Sequence, residues 1–394
     1  MTDIPLSILN IGLDRDLLPC GKNTEAQTRQ IFYARRLPAR LVHLVKAPHG
    51  SFSERFNLDD NLSVVPCPAR HWTQFIFTAL RRGAELLNSE HFNLIQVQEP
   101  FVSGLVGAHL AHRFRLPLVV GLYGDEIDNP AWLVEHPLNR LGNLSAKWVL
   151  RHAAASRTDS RAVAERLGHY GFRHLTYIPF LITHAEQLLR TVGEASAVRE
   201  RLLAGMASPL LLAVCRLEQE KNIPLMLQAL HNSVKHHPGI VLAIAGHGSL
   251  MADLTAAAER LVPGRVRWLG WVANTELPAY YQAADLTLLS SDRESAARVL
   301  TESLLAGTPV LTTDTAGARE IIEDGVTGCI VPVGDVNAFA RSLSELCGQP
   351  DRLISMGRAG RCQMSERVTA EVVARQLRQL YERALEFGDN SRFG

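Results

Sequence analysis

Residues 285–318, DLTLLSSDRESAARVLTESLLAGTPVLTTDTAGA, restrict the possible folds more than any other stretch of the chain. An apolar run from Leu286 to Leu289 ends in the polar cluster Ser290-Ser291-Asp292-Arg293-Glu294. A helical pattern then covers about Arg298 to Ala306, and a second apolar run, Pro309 to Leu311, enters a Gly-containing loop. This strand, loop, helix, strand order predicts a parallel sheet, in which the loop leaving a strand's carboxyl end and opening a helix is where ligands sit, because the first helical amides point outward unpaired. Glu294 falls in that loop and Glu302 about one turn into the helix, with seven residues between them. A carboxylate at the second position can accept hydrogen bonds from a diol such as a ribose. The plainer reading makes Glu302 a solvated partner of Arg298 four residues earlier and Glu294 a favourable charge at a helix start.

The same alternation runs through the whole chain. In the first half, apolar runs at Leu6 to Leu13, Leu41 to Ala47, Leu62 to Pro68, Asn93 to Gln98, Leu116 to Tyr123, Ala155 to Thr158 and Thr176 to Ile182 are separated by helical patterns such as Trp72 to Leu87 and Ser103 to Phe114. A polar, strandless stretch from about His184 to Ala207 reads as a linker, after which strand candidates resume at Pro209 to Cys215, Ile240 to Ala245 and Val266 to Leu269. The expected architecture is α/β: two Rossmann-like, doubly wound parallel-sheet domains over 1–190 and 205–368, facing across a cleft. The amphipathic tail, 369–394, is expected to cross back onto the first domain.

Composition narrows the function classes. With 394 residues the chain suits two or three domains, and 41 Lys+Arg against 40 Asp+Glu give no basic excess that would call for nucleic acid. Six scattered cysteines form no CxxC pair and fit a reducing compartment. The N-terminus has acidic residues and no basic, apolar leader, and no apolar run reaches the roughly 18–20 residues of a membrane span. The expected location is the cytoplasm, free or at the inner face of the plasma membrane. Arg35-Arg36, Arg81-Arg82 and His112-Arg113-Phe114-Arg115 are candidate contacts for anionic lipid, though such clusters are more often solvated faces.

Other strand ends in the second half carry chemistry. Strand Pro209 to Cys215 is followed by Arg216-Leu217-Glu218-Gln219-Glu220-Lys221, which offers a planar guanidinium and a mobile ammonium to a diphosphate. Ala245-Gly246-His247-Gly248-Ser249 permits close backbone approach but is no dinucleotide fingerprint. Asp125, after Tyr123-Gly124 at a strand end of the first half, is a candidate catalytic residue with Glu294, although a turn aspartate is the simpler reading. Asp14-Arg15-Asp16 forms a DxD tripeptide without supporting context and is read as chance.

Five motifs in order, VCRLEQEKN (Val214 to Asn222), AGHGSL (Ala245 to Leu250), VRWLGWV (Val266 to Val272), AADLTLLSSDRESAARVLTESLLAGTPV (Ala283 to Val310) and AGAREIIEDGVTGCIVPVGD (Ala316 to Asp335), give the second half a resemblance to the family-4 retaining glycosyltransferases of the GT-B fold. The resemblance is strong from about Leu211 to Arg361 and traceable over the first half. It implies that Arg216 and Lys221 bind the donor diphosphate, that Glu294 addresses the donor sugar, and that amides around Ala296, Ala297 and Arg298 cradle phosphate. It also implies that Glu302 holds the ribose, that Val272 touches the base, and that Gly21 stands for the family's first-domain Gly pair. Transfer would proceed without metal or cofactor, from a nucleotide-sugar donor to a glycan, lipid-linked or small-molecule acceptor, with retention. Cell-envelope or exopolysaccharide synthesis is the expected role. The chain departs from the family at Ser295-Ala296-Ala297, where two glycines are usual, and at Tyr123, where a His is usual. The alternatives are a catalytically silent nucleotide-sugar-binding or scaffold protein of the same fold, and an epimerase or phosphorylase, for which no motif is present.

Overall fold

The computed structural model describes residues 6–19, 24–50, 52–172, 174–190, 193–205, 208–294, 298–368 and 370–390. The chain divides into two compact units, residues 1–183 with 370–394, and residues 184–369. The stretch expected as a linker therefore belongs to the second unit, where its polar, helical pattern forms the helices Ala185–Leu189 and Glu194–Leu203. Arg199 anchors the latter, donating to Asp285 Oδ2 at 2.9 Å and to the carbonyl of Ala283 at 2.7 Å.

The first unit is built on eight strands: β1 (Leu6–Gly12), β2 (Ala39–Ala47), β3 (Phe56–Asp59), β4 (Leu62–Pro68), β5 (Leu94–Val97), β6 (Leu118–Leu122), β7 (Ala155–Thr158) and β8 (Leu175–Tyr177). Their order is β3-β4-β2-β1-β5-β6-β7-β8, parallel except for the antiparallel edge pair β3 and β4. Near-continuous apolar runs form the central strands because both faces are covered. Leu9, Ile11, Val42, Leu44, Ile95, Val97 and Val120 pack on one face, against helices that include Trp72–Ser89 and Val102–Phe114. Leu6, Ile8, Leu41, Leu94, Val119 and Ala155 pack on the other. That second face is closed by the helix Ala370–Asn390, whose Val373, Leu377, Leu380, Tyr381 and Ala384 recur at helical spacing and are buried. The last strand is shorter than its apolar run: pairing stops at Tyr177, and Pro179, with no amide to donate, stands just beyond it.

The second unit holds β9 (Leu210–Val214), β10 (Val241–Ala245), β11 (Val266–Gly270), β12 (Leu286–Leu289), β13 (Val310–Thr313) and β14 (Gly328–Val331), all parallel, in the order β11-β10-β9-β12-β13-β14. The order reverses between β9 and β12, so the chain leaves adjacent strands toward opposite sides. That switch point is where an open α/β sheet forms its ligand crevice. Both units are thus doubly wound, as the alternation of elements predicts.

Candidate active site

Because every strand of the second sheet is parallel, the segments that follow β9, β10, β11, β12 and β13 emerge along one edge. Arg216 to Lys221, Gly246-His247, Trp271-Val272, Ser290 to Glu294 and Asp314-Thr315 all lie there.

The loops leaving the two switch-point strands are stitched together by side chains that read in sequence only as a polar cluster. Ser290 is fully buried, and its hydroxyl donates to the carbonyls of Lys221 at 2.9 Å and Asn222 at 3.0 Å. Asn222 donates to Asp292 Oδ1 at 2.8 Å, and the Asp292 amide donates to the Glu220 carbonyl at 2.9 Å. The Thr313 hydroxyl donates to the Ser291 carbonyl at 2.5 Å. Asn222 adopts φ 43°, a left-handed turn that asparagine tolerates, and its side chain also caps the helix Ile223–Ser233.

Within this frame Lys221 Nζ pairs with Glu294 Oε1, which also accepts from the Ser291 hydroxyl at 2.9 Å. The Glu294 carbonyl accepts from the Gly317 amide at 2.8 Å, in the first turn of the helix Ala316–Ile321 that Thr315 caps. Lys221 and Glu294 are each only 14% exposed, so their positions are fixed before any ligand arrives. Arg216 differs: its side chain is 72% exposed and pairs with Glu220, at 2.7 Å. Among the cations of this edge, Lys221 is therefore rigid and Arg216 mobile. Beneath them, burial pushes the Cys215 thiol up to about 12 against the opposing pull of Lys221, which leaves it a neutral packing group.

Glu302 is neither a solvated helix residue nor open to a diol in this structure. It is 3% exposed. Its Oε2 accepts from the Tyr281 hydroxyl at 3.0 Å, its Oε1 accepts from Arg298 Nε at 2.7 Å, and His184 Nε2 stands 3.6 Å from Oε1. Burial, followed by the charge and hydrogen bond of Glu302, holds the Tyr281 phenol well above its ordinary range. Arg298 thus has its side chain turned to Glu302. Tyr281 and His184 were missed in the sequence, since neither carries a motif and His184 lies in the stretch read as a linker.

The remaining expected residues separate. Ala296, Ala297 and Gly21 lie outside the described residues. Val272 follows the edge strand β11, partly exposed, beside the 72% exposed Trp271. Asp125, in the first unit, is paired with Arg166, and its carbonyl accepts from Asn129 at 2.8 Å. Asp14 of the DxD tripeptide caps the turn Arg15–Leu17, accepting from the Asp16 amide at 3.1 Å. In Ala245 to Ser249 the glycines serve loop packing: a Cβ on Gly246 would stand 1.8 Å from the Cys215 carbonyl oxygen, and one on Gly248 2.3 Å from that of Leu217. In the basic clusters, Arg35, Arg36 and Arg81 pair with Asp59, Glu371 and Glu85, and Arg82 donates to the carbonyls of Ser53 and Pro66.

Two doubly wound units, one with charged side chains gathered at its switch point, define the GT-B class. Solved structures share this fold. Sucrose-phosphate synthase from Thermosynechococcus elongatus matches 96% of this chain and 98% of its own with a TM-score of 0.81 at 18% identity. HepE from Anabaena, solved in complex with UDP, matches 96% and 100% with a TM-score of 0.75 at 18% identity. In sequence, residues 196–363 match the glycosyl transferases group 1 family and residues 27–180 the glycosyl transferase 4-like domain. The chain therefore carries a glycosyl transferase 4-like domain followed by a glycosyl transferases group 1 domain. A D-inositol 3-phosphate glycosyltransferase of Thermobispora bispora is 34% identical over 203 residues, covering 48% of this chain and 47% of its own. The chain thus spans about half the length of that relative. The lipopolysaccharide core biosynthesis glycosyltransferase LpsE of Rhizobium meliloti is 26% identical over 284 residues, 71% of this chain and 78% of its own.

Proposed function

We propose that this protein transfers a sugar from a nucleotide-sugar donor to an acceptor hydroxyl, with retention and without a metal ion, in the assembly of a cell-envelope or extracellular glycan. The observation that carries the reading is the preset Lys221–Glu294 pair beside the mobile Arg216 at the switch point. Here the diphosphate lies against Lys221 and the helix start after Glu294, and Arg216 leaves Glu220 to close on it. As the bond to the anomeric carbon breaks, negative charge grows on the leaving phosphate oxygen, and prepositioned cations stabilise that charge more than they stabilise the ground state. The departing phosphate receives the acceptor proton. Glu294, with its carboxylate fixed by Lys221 and Ser291, addresses the donor sugar. Glu302 takes the ribose as Arg298 gives way, and Val272 borders the base. The first unit, with Asp125 near one strand end, selects the acceptor.

A location at a membrane surface is supported by the helix Leu138–His152. Leu138, Leu141, Leu144 and Trp148 are 54%, 63%, 64% and 48% exposed along one face, with Arg140 and Arg151 beside them. Such a face suits the interface of an anionic bilayer. No helix among the described residues is long and apolar enough to cross a membrane.

The test is calorimetric titration of UDP, GDP, ADP and dTDP, with and without magnesium, into wild type and Lys221→Met. One nucleoside diphosphate is expected to bind metal-free and to weaken in the variant. Absence of binding by all four removes the glycosyltransferase reading; binding without transfer to any acceptor favours a silent nucleotide-sugar-binding protein.

A further inference from the structure

The first sheet carries a polar row inside an apolar face. On β1, β2, β5 and β7 the side chains packed beneath the helix Ala370–Asn390 begin as apolar residues and turn polar toward the strands' carboxyl ends, at Asn10, His43, Gln96 and Arg157. Asn10 is in register with His43 on one side and Gln96 on the other, and Gly121, beside Arg157 on the next strand, makes room for the Tyr123 ring, which stands 2.8 Å from where a Cβ would lie. Asn10, Gln96 and Arg157 border a cavity of about 250 Å³, together with Tyr33, Tyr123 and Tyr381. That is the volume of roughly eight waters.

The row is incompletely satisfied. Tyr381 donates to Gln96 Oε1 at 2.6 Å. Among the described residues, Asn10 Oδ1, His43 Nε2 and Arg157 Nε are buried with no hydrogen-bond partner, and the three residues are 5%, 1% and 2% exposed. Arg157 has no carboxylate in ion-pair range among the described residues; what surrounds it is phenolic, with the guanidinium carbon 5.3 Å from the Tyr123 ring centroid. Asp14, at the same cavity, is 3.8 Å from Arg29. A buried cation with no anion is a cost to the fold, and a buried polar atom with no partner adds to it.

We infer that this cavity is a binding site for a small organic anion bearing hydroxyl groups, a phosphate monoester or a carboxylate, whose charge pairs with Arg157. The hydroxyls meet Asn10 and the tyrosine phenols, and the phenol rings supply flat apolar walls. The site lies wholly within the first unit and stands whether or not the second unit binds a nucleotide sugar.

The test titrates inorganic phosphate, glycerol 3-phosphate and glucuronate at millimolar concentration into the full chain, by calorimetry and thermal melting. One of them is expected to bind one-to-one and raise the melting temperature with concentration, and the phosphate and carboxylate arms identify the anion. Arg157→Met is expected to melt higher than wild type without anion, since it removes an unpaired charge, and to weaken binding on the order of tenfold to a hundredfold. Should that variant fail to fold, Asn10→Asp is read instead: it puts a carboxylate on the same cavity wall and is expected to abolish anion binding. UDP affinity serves as the control and stays unchanged in both. The inference is overturned if none of the three anions binds, if binding persists in the variants, or if Arg157→Met folds but melts lower with no loss of anion response.

Discussion

Replacing Glu302 separates two roles that a loss-of-activity measurement would merge. In Glu302→Ala the Tyr281 hydroxyl, fully buried, loses its acceptor, at a cost of about 1–3 kcal/mol for a stranded polar group. Arg298 is 26% exposed and reaches water, so its loss adds little, about 0–1 kcal/mol. The removed methylene and carboxylate leave a small void worth roughly another 1 kcal/mol. The sum is about 3 kcal/mol, and for a domain of roughly 150–250 residues this lowers the melting temperature by about 6–12 °C. Glu302→Gln keeps the volume and an acceptor for Tyr281, so its loss is about half as large. Differential scanning calorimetry on both variants, with nucleotide titration of each below its transition, reads stability and binding separately. If Glu302→Ala melts within about 1 °C of wild type, the carboxylate is not the buried hub described here and the energetic reasoning fails. If both variants keep full nucleotide affinity, Glu302 is structural only, and the ribose assignment falls.

Burial, with a smaller push from Arg29, lowers His43 to about 3, so the folded protein keeps it neutral while the unfolded chain protonates it below about 6.5. Its contribution to stability is therefore full above pH about 6.5 and is lost progressively as pH falls toward 3. Melting curves of His43→Met across this range are expected to fall less steeply than wild type, and parallel curves refute the assignment. Gly246→Ala forces a Cβ into the Cys215 carbonyl at φ +148° and is expected to cost about 3 kcal/mol or more, whereas Gly264→Ala, at φ +67° in open space, costs about 1 kcal/mol. Denaturant melts of the two should differ accordingly; equal midpoints would show that the loop after β10 relaxes freely. Leu141→Asp with Leu144→Asp is expected to abolish co-sedimentation with anionic vesicles without changing nucleotide binding, and retained sedimentation would remove the membrane role of that face.

The alternation of elements was legible because parallel strands covered on both faces must be apolar throughout, so runs such as Leu286–Leu289 and Val241–Ala245 stand out unaided. Phe56–Asp59 did not: it is a short, partly exposed edge strand paired antiparallel, and its FNLD has no run to see. Lys221, Arg216, Glu294 and Glu302 were visible as motif residues, but what each one faces was not. Glu302 reads equally as exposed or buried until Tyr281 is brought against it from another helix. The polar row of the first sheet did leave a trace, since Asn10, His43, Gln96 and Arg157 each interrupt an apolar run, yet only the register shows that Asn10, His43 and Gln96 stand side by side. The acidic DxD, read as chance in the sequence, serves as a cap, because a turn after a strand needs its amides satisfied.

The helix Ala370–Asn390 closes the first sheet, yet the ribosome makes it after the whole of the second unit. Synthesis and folding therefore run in different orders. The second unit has its strands and helices by residue 369 and can complete its core during translation, whereas the face of Leu6, Ile8, Leu94 and Val119, covered in part by Tyr33 and Ala34, is not closed until residues 370–384 emerge. A chain broken off before those turns would present a finished second domain beside an open apolar sheet, the kind of surface that chaperones and proteases bind. The helix Ala370–Asn390 thus ties completion of the first sheet to prior synthesis of the second unit.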